Sequence, residues 1–272
     1  KKIYFYFIMY EINFIAYAID LKDNSTYEDF LIPFTFFCLL FCKNSHVEII
    51  VLEPTNFKKK YSQEIASIKE LNNNFLIRKP QYKLNNHIPN TYRFFEVPTV
   101  QSKYTYISDI DMMYMENILP NYLKTWPQNL PYHNIVRPNS VRLTGLIMVK
   151  NDEYYIDEFK QCQKKYYDKN YHENDEKILY NMCKDVHGLP DNSFNYRPEF
   201  GIHFSPNRGK CKTMSLKTIK RYYDTFLNTA NKYQDLFKYD IFNNLLNQLK
   251  NDFENEFKIV KLGVLNLQMM KI

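Results

Sequence analysis

Apolar runs and helical patterns alternate along the first half of the chain. The runs predict strands over residues 3–10, 47–52, 75–77 and 104–107, and the patterns between them predict helices over residues 27–42 and 62–71. Strand-helix-strand alternation with nearly continuous apolar strands is typical of a mostly parallel sheet that is covered by helices. The pattern therefore predicts an α/β fold.

The second half of the chain is more mixed. Strands are predicted over residues 143–149 and 201–204, a helix over 174–183 and a loop over 189–197. After about residue 213 apolar positions recur at helical spacing only. We therefore expect a main α/β domain over residues 1–212 and a C-terminal helical extension over residues 213–272.

Two aspartates, Asp109 and Asp111, follow the predicted strand at 104–107. In an extended chain residues i and i+2 point to the same side, so both carboxylates are expected together at the carboxyl end of a strand. Two close carboxylates repel each other unless a cation lies between them, and Mg²⁺ and Mn²⁺ favour oxygen ligands completed by phosphates. The pattern indicates a metal-diphosphate site, and the alternative is a strand end with two solvated carboxylates at a turn.

Composition narrows the class of protein. The chain has 272 residues and a net charge of +6, which suits anionic small ligands or an anionic membrane surface. Its longest basic run is Lys58-Lys59-Lys60, so no nucleic-acid partner is expected. Five scattered cysteines without a Cys-x-x-Cys pair favour reduced thiols in a cytoplasmic protein. The apolar segment at 30–42 is too short to span a bilayer and predicts a buried helix.

Several further segments, taken in order, resemble the retaining family-8 glycosyltransferases of the GT-A fold, which use UDP-sugars. The resemblance covers roughly residues 3–210 and is one of motif order. The segments that carry it, besides Asp109 and Asp111, are Tyr92-Arg93-Phe94, Leu143-Thr144-Gly145 with the apolar strand after it, Asn174-Asp175-Glu176, Asn195-Tyr196, His203-Phe204 and Gly209-Lys210.

The resemblance implies a GT-A (Rossmann-like nucleotide-diphospho-sugar transferase) fold and a set of roles. It implies that Asp109, Asp111 and His203 bind Mn²⁺ or Mg²⁺. Contacts with the nucleotide or its diphosphate are expected from Arg93, Asp109, Lys210 and Arg208. The donor-sugar pocket is expected to be lined by Asp175, Thr144 and Gly145. The sequence departs from the family where Thr144 replaces an asparagine, where Glu176 and Lys177 replace a glutamine and an aspartate, and where no tryptophan follows Lys210.

For several of these residues, a purely structural role is the alternative to the implied functional role. Arg93 is equally suited to a structural ion pair, and Asp175 to capping a helix or pairing with its dipole. His203 is suited to a core position. The basic side chains Lys217, Lys220, Arg221 and Lys232 on the C-terminal helix fit a surface facing solvent, or peripheral association with the inner face of a membrane.

The expected function is metal-dependent transfer of a sugar from a nucleotide-diphosphate sugar, in the first place a UDP-sugar, to a glycan or lipid-linked acceptor with retention. A sugar-phosphate nucleotidyltransferase shares the sheet and the metal chemistry, but it normally needs a glycine-rich loop after the first strand. A non-catalytic carbohydrate-binding protein with a GT-A-like fold is the alternative outside the enzymes.

Overall fold

The computed structural model describes residues 9–19, 27–169, 172–191, 201–204 and 216–251. Spatial proximity divides the chain into two compact units, Lys1–Phe200 and Gly201–Ile272. The domain boundary predicted between residues 212 and 213 stays a prediction, because residues 205–215 lie outside the described ranges.

The first unit is built on a sheet of six strands, as far as its residues are described, in the order β3-β2-β1-β4-β7-β6. The strands of this unit are β1 (Tyr10–Tyr17), β2 (Ser45–Ile50), β3 (Phe75–Arg78), β4 (Ser102–Ile107), β5 (Met112–Tyr114), β6 (Tyr132–His133) and β7 (Ile147–Lys150). Strands β1 to β4 pair in parallel, whereas β7 runs antiparallel to both β4 and β6. The predicted mostly parallel α/β sheet is confirmed.

Helices cover both faces of this sheet. They are α1 (Leu31–Phe41), α2 (Pro54–Lys60), α3 (Ser62–Leu71), α4 (Leu119–Lys124), α5 (Asn151–Tyr154), α6 (Asp157–Asp168) and α7 (Asp175–Val186). Side chains alternate along β1, so Phe14 meets Phe34 of α1, whereas Ile15 belongs to a core cluster shared with α6 and α7. The predicted buried helix is therefore α1. Among the described helices, none is long and apolar enough to cross a membrane.

Several elements differ from the prediction, and α2, α4, α5, β5 and β6 were not predicted. The strand predicted over residues 3–10 lies outside the described ranges except for residues 9 and 10, and the first described strand is Tyr10–Tyr17. Asn13 interrupts the apolar pattern there, but it is buried and satisfied, since its amide donates to Glu48 (2.9 Å) and its oxygen meets His46 Nδ1 (3.0 Å). The strand predicted over 143–149 covers only Ile147–Lys150, and α6 was not predicted.

A buried polar network joins β1, β2 and β3. Glu48 is fully buried and accepts from Arg78 Nε (2.6 Å) and from the Thr99 backbone N–H (2.8 Å). Arg78 also pairs with Glu96 (2.6 Å), and burial raises the pKa of Glu96 although Arg78 opposes this shift. Because each buried carboxylate has charged and neutral donors, the network ties the strands together without an unpaired charge.

The second unit contains β8 (Gly201–His203), α8 (Leu216–Lys232) and a further helical stretch over residues 240–251. Its described core is aromatic: Phe226 contacts Phe204 and Phe237, and Phe237 contacts Phe242. The predicted short strand and the helical character after residue 213 are confirmed for the described residues. The membrane-facing interpretation of α8 stays a prediction.

The free energy of unfolding should depend on the protonation of His46. Burial lowers the pKa of His46 from 6.5 to about 4, although Glu48 acts in the opposite direction. Between these values the unfolded chain takes up a proton that the folded chain does not, so stability is lost as pH falls from about 6.5 to about 4. Between pH 7 and pH 5, at ~1.4 kcal/mol per pH unit, we expect the wild type to lose about 2 kcal/mol more than His46→Gln.

Urea unfolding of both proteins at pH 7, 6 and 5 measures this difference. His133, whose pKa burial also lowers to about 4, is present in both proteins and cancels in the comparison. Parallel stability profiles for the two proteins would contradict the assignment to His46.

Candidate active site

The centre of the candidate site is the guanidinium of Arg93. This residue lies in the short 3-10 helix Pro89–Phe94, and only 7% of its surface is exposed. Arg93 Nη1 donates to Asp109 Oδ1 (2.5 Å), and Arg93 Nη2 donates to Asp175 Oδ2 (3.2 Å). The guanidinium also lies 4.7 Å from the centroid of the Phe94 ring. The structural ion pair proposed for Arg93 is therefore present, and a contact with a nucleotide stays a prediction.

Asp109 and Asp111 come together in a turn rather than in an extended strand. Strand β4 ends at Ile107, and the Met112 N–H donates to the Asp109 carbonyl (3.4 Å) to close the turn. A carboxylate oxygen of Asp109 and one of Asp111 lie within 4.8 Å of each other. The expected proximity of the two carboxylates is confirmed, and the turn rather than the side-chain alternation of a strand produces it.

Three carboxylates contribute to the electrostatics of Arg93. Burial disfavours the charged form of Arg93, but the negative charges of Asp109 and Asp175, with a further contribution from Asp111, outweigh this effect and raise the pKa of Arg93. Two of these carboxylates, Asp109 and Asp175, pair with the guanidinium directly. The oxygens of Asp109 and Asp111 are of the kind that a hard divalent cation favours.

Asp175 reaches Arg93 from the first turn of α7. The cap of this helix is Asn174, whose side chain accepts the Glu176 backbone N–H (3.1 Å), so the capping role considered for Asp175 belongs to its neighbour. The carboxylate of Asp175 is therefore available to Arg93, to which it forms its ion pair. Residues 82 positions apart in the sequence meet in this way.

Gly145 packs directly against the guanidinium. A Cβ atom at this position would lie 2.6 Å from Arg93 Nη2 and 3.5 Å from Asp109 Oδ1, so a larger residue would displace the ion pairs. The Gly145 backbone N–H donates to Glu176 Oε1 (3.2 Å), and the hydroxyl of the preceding Thr144 donates to Asn134 Oδ1 (2.7 Å). Thr144 is buried and directed to the protein interior, and its predicted contact with the donor sugar stays a prediction.

Three residues that support this arrangement were not predicted as site residues. Asn134 holds Thr144 through two further hydrogen bonds, from its amide to the Thr144 carbonyl (3.0 Å) and from the Thr144 N–H (3.1 Å). Glu176 accepts from Gly145 and forms an ion pair with Arg137. The only signal in the sequence was that Glu176 replaces the glutamine of the resembled family, and no pattern pointed to Asn134 or Arg137.

The remaining predicted residues belong to the second unit or lie outside the described residues. His203 ends β8 of the second unit and is half-buried. Arg208 and Lys210 lie outside the described residues. Their predicted contacts with the metal and the diphosphate stay predictions.

This chain is similar to known proteins in structure only. No protein-family model matches the chain. No curated protein sequence matches it either. The similar solved structures include the glycosyltransferase GlyE of Streptococcus pneumoniae TIGR4, with 13% identity, a TM-score of 0.48, and coverage of 70% of this chain and 47% of GlyE. The chain thus spans about half the length of GlyE.

Two further similar structures are also glycosyltransferases. The galactosyltransferase LgtC, solved in complex with donor and acceptor sugar analogs, has 12% identity and a TM-score of 0.48 over 79% of this chain and 94% of LgtC. Mouse xyloside xylosyltransferase 1 has 8% identity and a TM-score of 0.38 over 66% of this chain and 83% of the mouse protein. Because all three TM-scores are below 0.5, these likenesses carry no argument about function. Function must be argued from the residues of this chain.

Replacing Gly145 by alanine should destabilise the protein through Arg93. The added Cβ would overlap Nη2 of a side chain that two aspartates hold in place, and such overpacking costs about 1–3 kcal/mol. Urea unfolding measures this cost. Because a lysine at position 93 lacks the overlapping nitrogen, Gly145→Ala should cost less in an Arg93→Lys background.

Gly188→Ala is the control for this double-mutant cycle. Its cost arises from the left-handed backbone (φ +84°), and the nearest atom to its Cβ would be Leu130 Cδ2 at 3.9 Å, so it should be equal in both backgrounds. A coupling energy below about 0.5 kcal/mol between positions 145 and 93 would contradict the proposed contact.

Proposed function

We propose that this chain is a metal-dependent glycosyltransferase. Its donor is a nucleotide-diphosphate sugar, in the first place a UDP-sugar, its acceptor is a glycan or lipid-linked saccharide, and the anomeric configuration is retained. The observation that carries the proposal is the proximity of the Asp109 and Asp111 carboxylates beyond the carboxyl end of β4, beside a buried Arg93 that pairs with Asp109 and Asp175. Open α/β sheets bind their ligands at this edge.

The donor set fits a hard divalent cation. Each carboxylate has two oxygens with several lone pairs, so Asp109 can accept from Arg93 and bind a cation as well. Asp111 is buried, which shields its charge from water and strengthens its attraction for a cation. His203 is the proposed third ligand, and an imidazole ligand suits Mn²⁺ better than Mg²⁺.

When bound, the cation would neutralise the charge that develops on the diphosphate as the glycosidic bond breaks. The residues of the chain supply the fixed framework for this step. Arg93 holds Asp109 and Asp175 at fixed positions, so the cation ligand and the sugar-facing carboxylate keep one relative geometry. Asp175 is proposed to face the donor-sugar hydroxyls or the anomeric centre, and Arg208 and Lys210 to contact the diphosphate.

The nucleotidyltransferase alternative is less well supported. Such enzymes normally need a glycine-rich loop after the first strand, where backbone N–H groups surround the phosphates. The segment that follows β1 contains no glycine before Leu31. A non-catalytic saccharide-binding protein would not need a divalent cation at Asp109 and Asp111, and hydrolysis of a UDP-sugar with and without Mn²⁺ distinguishes it from the enzyme.

Binding of UDP should require a divalent cation. Without one, the carboxylates would repel the diphosphate, whereas a bound cation joins the two. We expect calorimetry to detect UDP binding in Mn²⁺ and none in EDTA. The variant Asp111→Asn should abolish the Mn²⁺-dependent binding. It should also reduce sugar transfer by more than about tenfold, which corresponds to ~1.4 kcal/mol.

Asp152→Asn is the matched control. Asp152 is an exposed carboxylate on α5, which follows β7 and therefore lies at the opposite edge of the sheet from Asp109. Its variant should bind UDP and transfer sugar as the wild type does. Equal affinity for UDP in Mn²⁺ and in EDTA would refute the metal-dependent site.

His203→Ala should weaken Mn²⁺ binding more than it lowers the thermal stability of the metal-free protein. Alanine removes the imidazole nitrogen that is proposed to bind the ion and leaves both carboxylates in place. Mn²⁺ titration monitored by electron paramagnetic resonance, together with thermal unfolding in EDTA, measures both effects. Lost stability with unchanged Mn²⁺ affinity would identify a core histidine instead.

A further inference from the structure

We propose that the turn at residues 139–142 and Lys177 form an acceptor subsite that selects a saccharide carrying an acid group, a carboxylate or a phosphate. Asn139, Ser140, Val141, Arg142 and Lys177 line an open cleft of about 560 Å³, within the ~300–1,000 Å³ range of small-molecule sites. This inference rests on the proposed function, because it assigns the acceptor of that reaction.

The turn that builds the cleft has a fixed conformation. Leu143 bridges to Val136, and the Arg137 N–H donates to the Arg142 carbonyl (2.8 Å), so the two arms of the turn are held together. The Ser140 hydroxyl donates to the Arg137 carbonyl (3.0 Å), and Asn139 adopts a positive φ of 55°. A preformed turn loses little conformational entropy when a ligand binds.

The charges of the cleft favour an anion. Among the described residues, Arg142 has no carboxylate partner, and its side chain is partly exposed. Lys177 is paired with Glu173 (2.5 Å), but 41% of its side chain is exposed. A partly exposed guanidinium offers two parallel N–H donors to a carboxylate or a phosphate, so Arg142 is the main recognition group.

The cleft also has features that suit a sugar ring. Val141 is 55% exposed, and it offers an apolar surface to the C–H face of a saccharide. The amide of Asn139 can donate to and accept from sugar hydroxyls. An inorganic anion would use the basic side chains only, whereas a saccharide with an acid group also uses Val141 and Asn139.

The cleft adjoins the candidate active site. Arg142 is three residues before Gly145, so their Cα atoms are at most ~11 Å apart, at ~3.6 Å per residue. The Leu143 N–H donates to the Glu176 carbonyl (3.3 Å), which joins the turn to the first turn of α7 next to Asp175. One oligosaccharide can therefore occupy the cleft and still reach the Arg93 cluster.

Binding of four probes to the full chain tests this subsite without nucleotide or metal. The probes are methyl glucuronide, glucose 6-phosphate, methyl glucoside and inorganic phosphate, each titrated by ligand-observed NMR. We expect the two acidic sugars to bind up to about fivefold more tightly than methyl glucoside, which is the upper end of the range for a solvent-exposed ion pair. Arg142→Gln should remove this preference, and Arg142→Lys should keep part of it.

Lys69→Gln is the charge-matched control. Lys69 is exposed near the end of α3, which leads into the start of β3, so it lies at the sheet edge opposite to Asp109. This variant should keep the preference of the wild type, whereas Val141→Ser should weaken the binding of all three sugars but not of inorganic phosphate.

Three results would overturn the subsite. The first is equal affinity for acidic and neutral sugars, and the second is an unchanged preference for acidic sugars in Arg142→Gln. The third is binding of inorganic phosphate as tight as that of glucose 6-phosphate, which would indicate an anion site without saccharide recognition. Because no probe needs UDP or Mn²⁺, these results are separate from the UDP titration, whose failure would refute the proposed enzyme and not the saccharide subsite.

Discussion

The ion pairs of one buried guanidinium hold the candidate active site together. Arg93 joins a 3-10 helix, the turn after β4 and the start of α7, which are distant in the sequence. Removal of one partner from a buried pair leaves an uncompensated charge and costs about 3–5 kcal/mol, so each of these segments is constrained by the other two. Gly145 is part of the same constraint, since a Cβ at this position would lie 2.6 Å from the guanidinium and would require it to move.

The guanidinium groups of Arg78 and Arg93 have different surroundings. The Glu48–Arg78–Glu96 network surrounds its carboxylates with additional neutral donors from Asn13, Thr99 and Gln81. At Arg93 the charges of Asp109, Asp175 and Asp111 raise the pKa of the guanidinium, and carboxylate oxygens of Asp109 and Asp111 lie within 4.8 Å of each other. Under the proposed function, a divalent cation at these two carboxylates would bind the folded state alone, and its binding would add to the free energy of unfolding.

The sequence predicted those parts of the molecule that local patterns determine. Apolar runs identified α1 and strands β2 to β4, and Asp109 and Asp111 were found as a motif. The pattern failed at β1, where Asn13 is buried because Glu48 and His46, some 35 and 33 positions away, satisfy it. The contacts of Glu176 with Gly145 and of Asn134 with Thr144 likewise depend on tertiary geometry, which no local spacing encodes.

The first turn of α7 connects the two sides of the proposed site. Asp175 fixes Arg93, and the neighbouring Glu176 accepts the Gly145 N–H, pairs with Arg137 and receives the Leu143 N–H on its carbonyl. One helical turn therefore holds both Gly145, which lies beside the guanidinium, and the turn that carries Arg142. Because Glu176 is ionised when it pairs with Arg137, its charge fixes the turn more firmly than the amide of a glutamine would. A replacement that departs from the resembled family thus has a physical consequence, since it makes the position of the turn that carries Arg142 depend on an ion pair.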